Sequence, residues 1–311
     1  MTPTEWTYVV FCIVIIIALI FDMGLLSKKS KAVSMKQALG QTIFWVSLGL
    51  GFFVFMWYED GQTKALEYLS AYLMEWALSA YNIFVFILIF SFFKIAKKHT
   101  NRVLLLGILI AIILRIIFIS IGIVMIERFS WLLYLFGAFL IYTGIKMFLI
   151  DHEKDFDPGK NKVYRLLKKI VPLTHEHNEG KFTKIINGKK YFTMLFVVMI
   201  LLATTDIVFA LDSIPAVFAI TQTKMVIYTS NIFAVLGLRS LFFLLKGAVD
   251  KFKYIKEGIA IVLIFIGAKM LVEYFNIHIQ IWISLLVIVG CLSSAVLFSI
   301  YKGRHSSKHI E

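Results

Sequence analysis

The amino-acid sequence predicts an all-α polytopic membrane protein. Hydrophobic residues make up 60% of the chain and charged residues only 16%, and the apolar runs repeatedly reach the roughly 20 residues that a helix needs to cross a bilayer. Polar residues recur at matching places in two sets of three runs, which indicates an internal repeat. We therefore expect one transmembrane domain over residues 1–311 with about nine spans: 6–26, 38–58, 66–93, 103–125, 130–150, 191–219, 226–246, 257–275 and 279–301.

The distribution of positive charge predicts the orientation of the spans. The net charge of +13 could suggest a nucleic-acid partner, but 25 of the 32 Lys and Arg residues fall in alternate connections and the tail. The largest group lies in the loop 151–190. Cytoplasmic loops are enriched in Lys and Arg, so we expect an outer N-terminus and a cytoplasmic C-terminus. The basic composition then reflects topology, and the expected partner is the lipid bilayer, with no nucleic acid.

Two stretches of three spans share polar positions. The aligned segments are EWALSAYN with DIVFALDS, AIILRIIF with VLGLRSLF, and IYTGIKM with FIGAKM. We assign repeat one to 66–150 and repeat two to 191–275, with Arg115 equivalent to Arg239. Because each repeat has an odd number of helices, the second copy has the opposite orientation in the membrane, as in many secondary transporters. The alternative is that unrelated apolar helices were slid into chance register.

The segment ATTDIVFALDSIPAVFAIT places Asp206 and Asp212 inside an apolar run. A carboxylate at membrane depth is costly, so it is a candidate for function. Pro215 cannot donate a hydrogen bond to the carbonyl of Leu211. We therefore expect a helix break that exposes a backbone oxygen beside Asp212.

These groups predict a site for a hard cation. The candidate ligands are oxygen donors on the first helix of each repeat: Glu75, Asn82, Asp206, Asp212 and Ser213. Mn²⁺, Mg²⁺ and Ca²⁺ prefer oxygen ligands. Antiparallel repeats would place Glu75 opposite Asp212, and Asn82 level with Asp206. The alternative is that either Asp pairs with Arg115 or Arg239 and only holds helices together.

Several segments resemble the TerC family of integral membrane proteins. They are EWALSAYNIFVF, TTDIVFALDSIPAVFAIT, SNIFAVLGLRSLFF and the two G-x-K-M helix ends, and the likeness runs from about residue 18 to 275. Bacterial members are associated with manganese efflux and, historically, with tellurium resistance. The resemblance implies a multi-pass protein of the bacterial cytoplasmic membrane that exports a divalent cation, with Mn²⁺ as the first candidate.

The chain departs from the family pattern at two positions. Tyr81 stands where the family motif has Asp, and Ala203 where it usually has Glu. The spans then contain four basic and four acidic residues, and the acidic ones include Asp22 near the inner end of the first span. A divalent ion would leave excess positive charge in a site of low dielectric constant. We expect weak binding, use of the Tyr81 hydroxyl as a ligand, or impaired transport.

Three functions remain open from the sequence. The first is a secondary exporter of a divalent cation, with Asp22, Tyr81, Arg115 and Arg239 as further candidate site residues. The second is an exporter of a small organic solute. The third is a non-transporting membrane factor that aids metal loading or assembly of other proteins. The sequence shows no phosphate-binding glycine loop or nucleophile triad, so we expect no enzyme activity and no permanently bound cofactor.

Overall fold

The structure, a computed structural model, describes residues 3–26, 34–149, 159, 161–174, 180–247, 254–275 and 277–306. Helices make up most of it. They are α1 (Pro3–Leu26), α2 (Met35–Glu59), α3 (Gln62–Phe92), α4 (Lys97–Arg128), α5 (Leu132–Leu149), α6 (Lys162–Ile170), α7 (Met194–Ile220), α8 (Lys224–Lys246), α9 (Ile255–Glu273) and α10 (Ile281–Ser306). The strands are β1 (Leu173–Thr174), β2 (Thr183–Ile186) and β3 (Lys189–Thr193).

The chain is an all-α polytopic membrane protein, and every predicted span coincides with a helix. In the described part of the chain, seven helices are long and apolar enough to cross a membrane. The helices α1 and α9 fall outside that set. The apolar stretch of α1 runs over only Glu5–Ile20, and α9 carries Lys256, Glu257, Lys269 and Glu273 within 19 residues. The count of nine spans therefore remains a prediction.

The expected helix break at Pro215 is wrong. Helix α7 runs without interruption from Met194 to Ile220 with Pro215 inside it. A proline removes one backbone hydrogen bond, but α7 is buried on both sides of it, at Ser213, Ile214, Ala216 and Val217. Packing against neighbouring helices holds a membrane helix together across such a site.

Helices from the two predicted repeats pack against each other in a reciprocal pattern. Helix α3 lies against α8, α4 lies against α7, and α5 lies against α9. The α5–α9 contact is close because glycines face each other there. A Cβ on Gly267 would lie 2.5 Å from the carbonyl oxygen of Gly137, and one on Gly144 would lie 2.8 Å from that of Ala260. Small residues allow this backbone approach in membranes.

We expect Gly267→Ala to destabilise the protein by about 1–3 kcal/mol, because the added methyl group forces α5 and α9 apart. The measurement is the thermal unfolding midpoint of the purified protein in detergent. Gly51→Ala in α2 is the matched control, since a Cβ there meets nothing within 4 Å, and it should be neutral or slightly stabilising. Equal midpoints for the two variants would contradict the close contact.

The loop between α5 and α7 contains ordered structure that the sequence analysis did not assign. Its described part holds helix α6 and a three-stranded sheet in the order β1-β3-β2. Strands β2 and β3 are antiparallel and joined by Asn187 and Gly188, both with positive φ. Asn-Gly between two strands is a strong hairpin signal, so the sequence did contain the information for this turn.

Candidate functional site

A buried ion cluster centred on Arg115 joins four of the predicted repeat helices, α3, α4, α7 and α8. Its guanidinium binds Glu75 of α3 and also contacts Asp206 of α7, with Nη2 to Oδ1 at 3.0 Å and Nε to Oδ2 at 3.3 Å. Asn231 of α8 accepts a further hydrogen bond from Arg115 at 3.2 Å. Glu75, Arg115 and Asp206 are 0%, 2% and 3% exposed. One cation thus faces two carboxylates in the protein interior.

The structure groups the predicted residues differently from the sequence: Glu75 and Asp206 share Arg115 as a partner, and Asn82 lines the same cleft as Asp212. Asp206 is the carboxylate that joins Glu75, and both bind Arg115. The reason lies in helix rotation. Asp206 and Asp212 are six residues apart, which turns their side chains about 120° from each other around the helix axis. They cannot face one site, and the alternative of an Arg partner holds for Asp206.

Asp212 lies instead in a cleft of about 480 Å³ between α3, α5 and α7. The residues that line the cleft and carry polar groups are Tyr81, Asn82, Tyr142, Thr143, Lys146, Asn161, Thr204, Thr205 and Asp212. Thr143 of α5 donates a hydrogen bond to Asp212 Oδ1 at 3.2 Å. The cleft therefore presents one carboxylate among neutral oxygen atoms from both predicted repeats.

Lys146 places a positive charge in the same cleft. Its ammonium lies 5.9 Å from the centre of the Tyr142 ring and interacts electrostatically with Asp212. An aromatic face and a carboxylate both stabilise a cation. The cleft thus pairs one carboxylate with one ammonium group, whereas Arg115 faces two carboxylates.

The remaining predicted residues fall into different environments. Ser213 is buried, and its hydroxyl has no hydrogen-bond partner among the described residues, but it does not line the cleft. Arg239 is buried on α8. Asp22 belongs to α1, and its side chain lies outside what the structure describes. Within the described residues no group of three or more His, Cys, Asp or Glu could hold a metal ion.

Sequence reasoning missed Thr143 as a partner of Asp212 and Asn231 as a partner of Arg115. Both had a signal in the sequence. Thr143 precedes Lys146 by three residues, so the two share a helix face, and Asn231 is an amide inside an apolar helix. Buried polar groups require hydrogen bonds, which makes such residues candidates for contact with the buried charged groups.

A polar contact lies at the end of the helix bundle opposite the loop between α5 and α7. Glu67, near the start of α3, accepts hydrogen bonds from Thr221 at 2.5 Å and Thr223 at 3.4 Å, in the connection between α7 and α8. Lys269 of α9 is buried close enough to Glu67 and Glu273 to interact with both. This end is held by hydrogen bonds and charge, whereas the cleft extends toward the loop at Asn161 and Val163.

Comparison with known proteins decides the family. Residues 60–307 match the family model described as integral membrane protein TerC family. The chain belongs to the TerC family. The match covers both predicted repeats, the Arg115 cluster and the cleft.

Relatives in the family are close in length and sequence. An uncharacterised membrane protein of Myxococcus xanthus, STKORF319, is 42% identical over 98% of this chain and 94% of its own. A membrane protein of Rickettsia felis is 42% identical over 95% of this chain and 98% of its own. Alx of Salmonella typhi, described provisionally as a membrane-bound redox modulator, is 40% identical over 99% of this chain and 98% of its own. No solved structure matches the chain.

The two positions that we expect to depart from the TerC pattern, Tyr81 and Ala203, occupy different environments. Tyr81 lines the cleft that contains Asp212, whereas Ala203 is buried and is not among the lining residues. Only the first position can act directly on a ligand in the cleft.

Proposed function

We propose that this TerC protein is a secondary transporter that exports a divalent cation, with Mn²⁺ as the first candidate substrate. The observation that carries the proposal is the cleft, in which Asp212 meets neutral oxygen groups of Tyr81, Asn82 and Thr143 at the junction of α3, α5 and α7. An all-oxygen set suits Mn²⁺. A single carboxylate gives a weak site, which a transporter needs in order to release its substrate.

The proposal includes an inverted repeat. The reciprocal packing of α3 with α8, α4 with α7 and α5 with α9 is what a two-fold axis in the membrane plane would produce. Charge placement supports an outer N-terminus and a cytoplasmic loop between α5 and α7, in a bacterial inner membrane. In that orientation the cleft faces the cytoplasm, and Glu67 with Thr221 and Thr223 closes the outer end.

The Arg115 cluster has a separate role in this proposal. Because Arg115 occupies Glu75 and Asp206, these acids hold α3, α4 and α7 together and supply negative charge behind the cleft. This negative charge stabilises a cation in the cleft, and the cation does not need to displace Arg115. This division of labour replaces the five-residue ligand set that the sequence suggested.

One observation favours the alternative of a non-transporting membrane factor. The cleft holds Lys146 beside Asp212 and Tyr81 in place of the family carboxylate, and both features lower the metal affinity that we expect. A membrane factor that passes metal to other proteins would need no vectorial release.

Expression in a bacterial host that lacks its own manganese efflux separates the two functions. We expect the wild-type chain to lower cellular manganese, measured by mass spectrometry. Asp212→Asn, expressed to the same level in the membrane, is the control and should leave manganese unchanged. Unchanged manganese with the correctly inserted wild-type chain would favour the membrane factor.

Tyr81→Asp should raise the affinity for Mn²⁺ by about tenfold or more, because a charged ligand contributes about 1.5–3 kcal/mol. Isothermal titration calorimetry of the purified protein measures it. Tyr81→Phe is the matched control and should bind more weakly than wild type if the hydroxyl is a ligand. The charge argument fails if Tyr81→Asp and wild type bind Mn²⁺ equally.

A further inference from the structure

Helix α6 has a strongly amphipathic sequence, KVYRLLKKI. On a helical projection, Tyr164, Leu167 and Val163 lie on one side of the apolar face. These three residues pack against the core formed by the transmembrane helices, and the ring of Tyr164 meets that of Phe93 edge-on at 5.2 Å. Phe93 follows the last residue of α3, so α6 is fixed at the end of a spanning helix.

The other side of the apolar face has no protein cover in the described part of the chain. Leu166 and Ile170 are 55% and 69% exposed. Lys162 and Lys169 lie about 40° and 60° from Leu166 around the helix, and both are exposed. Two large apolar side chains therefore project beside two ammonium groups, which both lie on the same side of them around the helix.

This arrangement matches the surface of an anionic bilayer. An interfacial helix buries apolar side chains at the boundary of headgroups and acyl chains, while flanking Lys residues contact anionic lipids. Helix α6 lies between the spanning helices α5 and α7 in the chain and packs against α7, so the leaflet is within reach. Lys94 in the neighbouring α3–α4 connection and Lys97 and Lys98 at the start of α4 add positive charge on the same side.

We propose that α6 is a lipid-contacting helix that binds the headgroups of an anionic leaflet through Lys162 and Lys169 and inserts Leu166 and Ile170 below them. The contact also bears on the cleft. Asn161 caps α6, with its Oδ1 accepting hydrogen bonds from the backbone of Val163 at 2.8 Å and Tyr164 at 3.4 Å. Asn161 and Val163 line the cleft, so anionic lipid fixes the residues at the mouth. The lipid contact itself does not rest on the proposed transport.

The test places a fluorescent probe on α6 in the full chain. A Leu166→Cys variant, with Cys12 and Cys291 changed to Ser, is labelled with a polarity-sensitive fluorophore. It is reconstituted in nanodiscs of phosphatidylcholine with or without phosphatidylglycerol, together with a spin-labelled lipid quencher. We expect quenching at residue 166 to exceed that at a Lys168→Cys control by about twofold or more, and to increase with phosphatidylglycerol. Residue 168 lies about 160° away on the same helix.

Charge reversal makes the test specific for anionic lipid. Lys162→Glu with Lys169→Glu should weaken the lipid contact by about fivefold or more per position and reduce quenching at residue 166. Lys189→Glu with Lys190→Glu changes the net charge equally, on strand β3, and should leave the quenching unchanged. The proposal is overturned if residues 166 and 168 are quenched alike or if phosphatidylglycerol has no effect on the quenching. It is also overturned if a water-soluble quencher still reaches residue 166, and a protein partner would then be the occupant to consider for this face.

Discussion

Replacing Arg115 by Met is expected to cost about 3–5 kcal/mol of stability, because it leaves the carboxylates of Glu75 and Asp206 buried without a counter-charge. Both acids are almost fully buried, and Arg115 binds both. The loss should appear as a low yield of monodisperse protein in detergent and a lowered unfolding midpoint.

Two further variants make this result specific. Arg128→Met removes a positive charge from the exposed end of the same helix and should unfold like wild type. Adding Glu75→Gln and Asp206→Asn to Arg115→Met removes the uncompensated charges, and this triple variant should recover much of the lost stability. If Arg115→Met is as stable as Arg128→Met, the ion cluster does not hold α3, α4 and α7 together.

Replacing Asp212 by Asn is expected to reduce Mn²⁺ binding and transport by about tenfold to a hundredfold, as the loss of one charged ligand costs about 1.5–3 kcal/mol. Stability should change by less than about 1 kcal/mol, since the Asn oxygen can still accept the hydrogen bond from Thr143. Manganese flux in proteoliposomes and the unfolding midpoint measure the two effects.

Comparison with two other carboxylates separates the cleft from its surroundings. Glu127→Gln breaks an exposed ion pair with Lys224, 2.7 Å long, and should change neither flux nor stability. Asp206→Asn should lower stability, because Arg115 loses a charged partner. Normal flux in Asp212→Asn would exclude Asp212 as the binding residue.

The positions of the helices were accessible from the sequence because they depend on a local signal. Each apolar run that was predicted to span the membrane coincides with a helix, and the matched positions of Arg115 and Arg239 predict which helices correspond. The contact of α5 with α9 was not predicted, although its glycines stand in the sequence: Gly267 lies against Gly137, and Gly144 lies against Ala260.

The partners of the acidic residues were not accessible in the same way. Glu75 and Asn82 share a face of α3, but their partners depend on how far α7 is rotated about its own axis. A rotation of α7 by about 120° would turn Asp212 to the side where Asp206 now lies. The sequence of an apolar helix of this kind has no periodicity that determines its rotation. What fixes it is Arg115, whose long side chain reaches both Glu75 and Asp206.

The central claim is that Asp212, and not the acids bound to Arg115, holds the transported cation. The most direct test is a structure of the protein with Mn²⁺, located by its anomalous scattering. We predict one peak in the cleft, in contact with a carboxylate oxygen of Asp212. A peak between Glu75 and Asp206, with Arg115 displaced from them, would contradict the account.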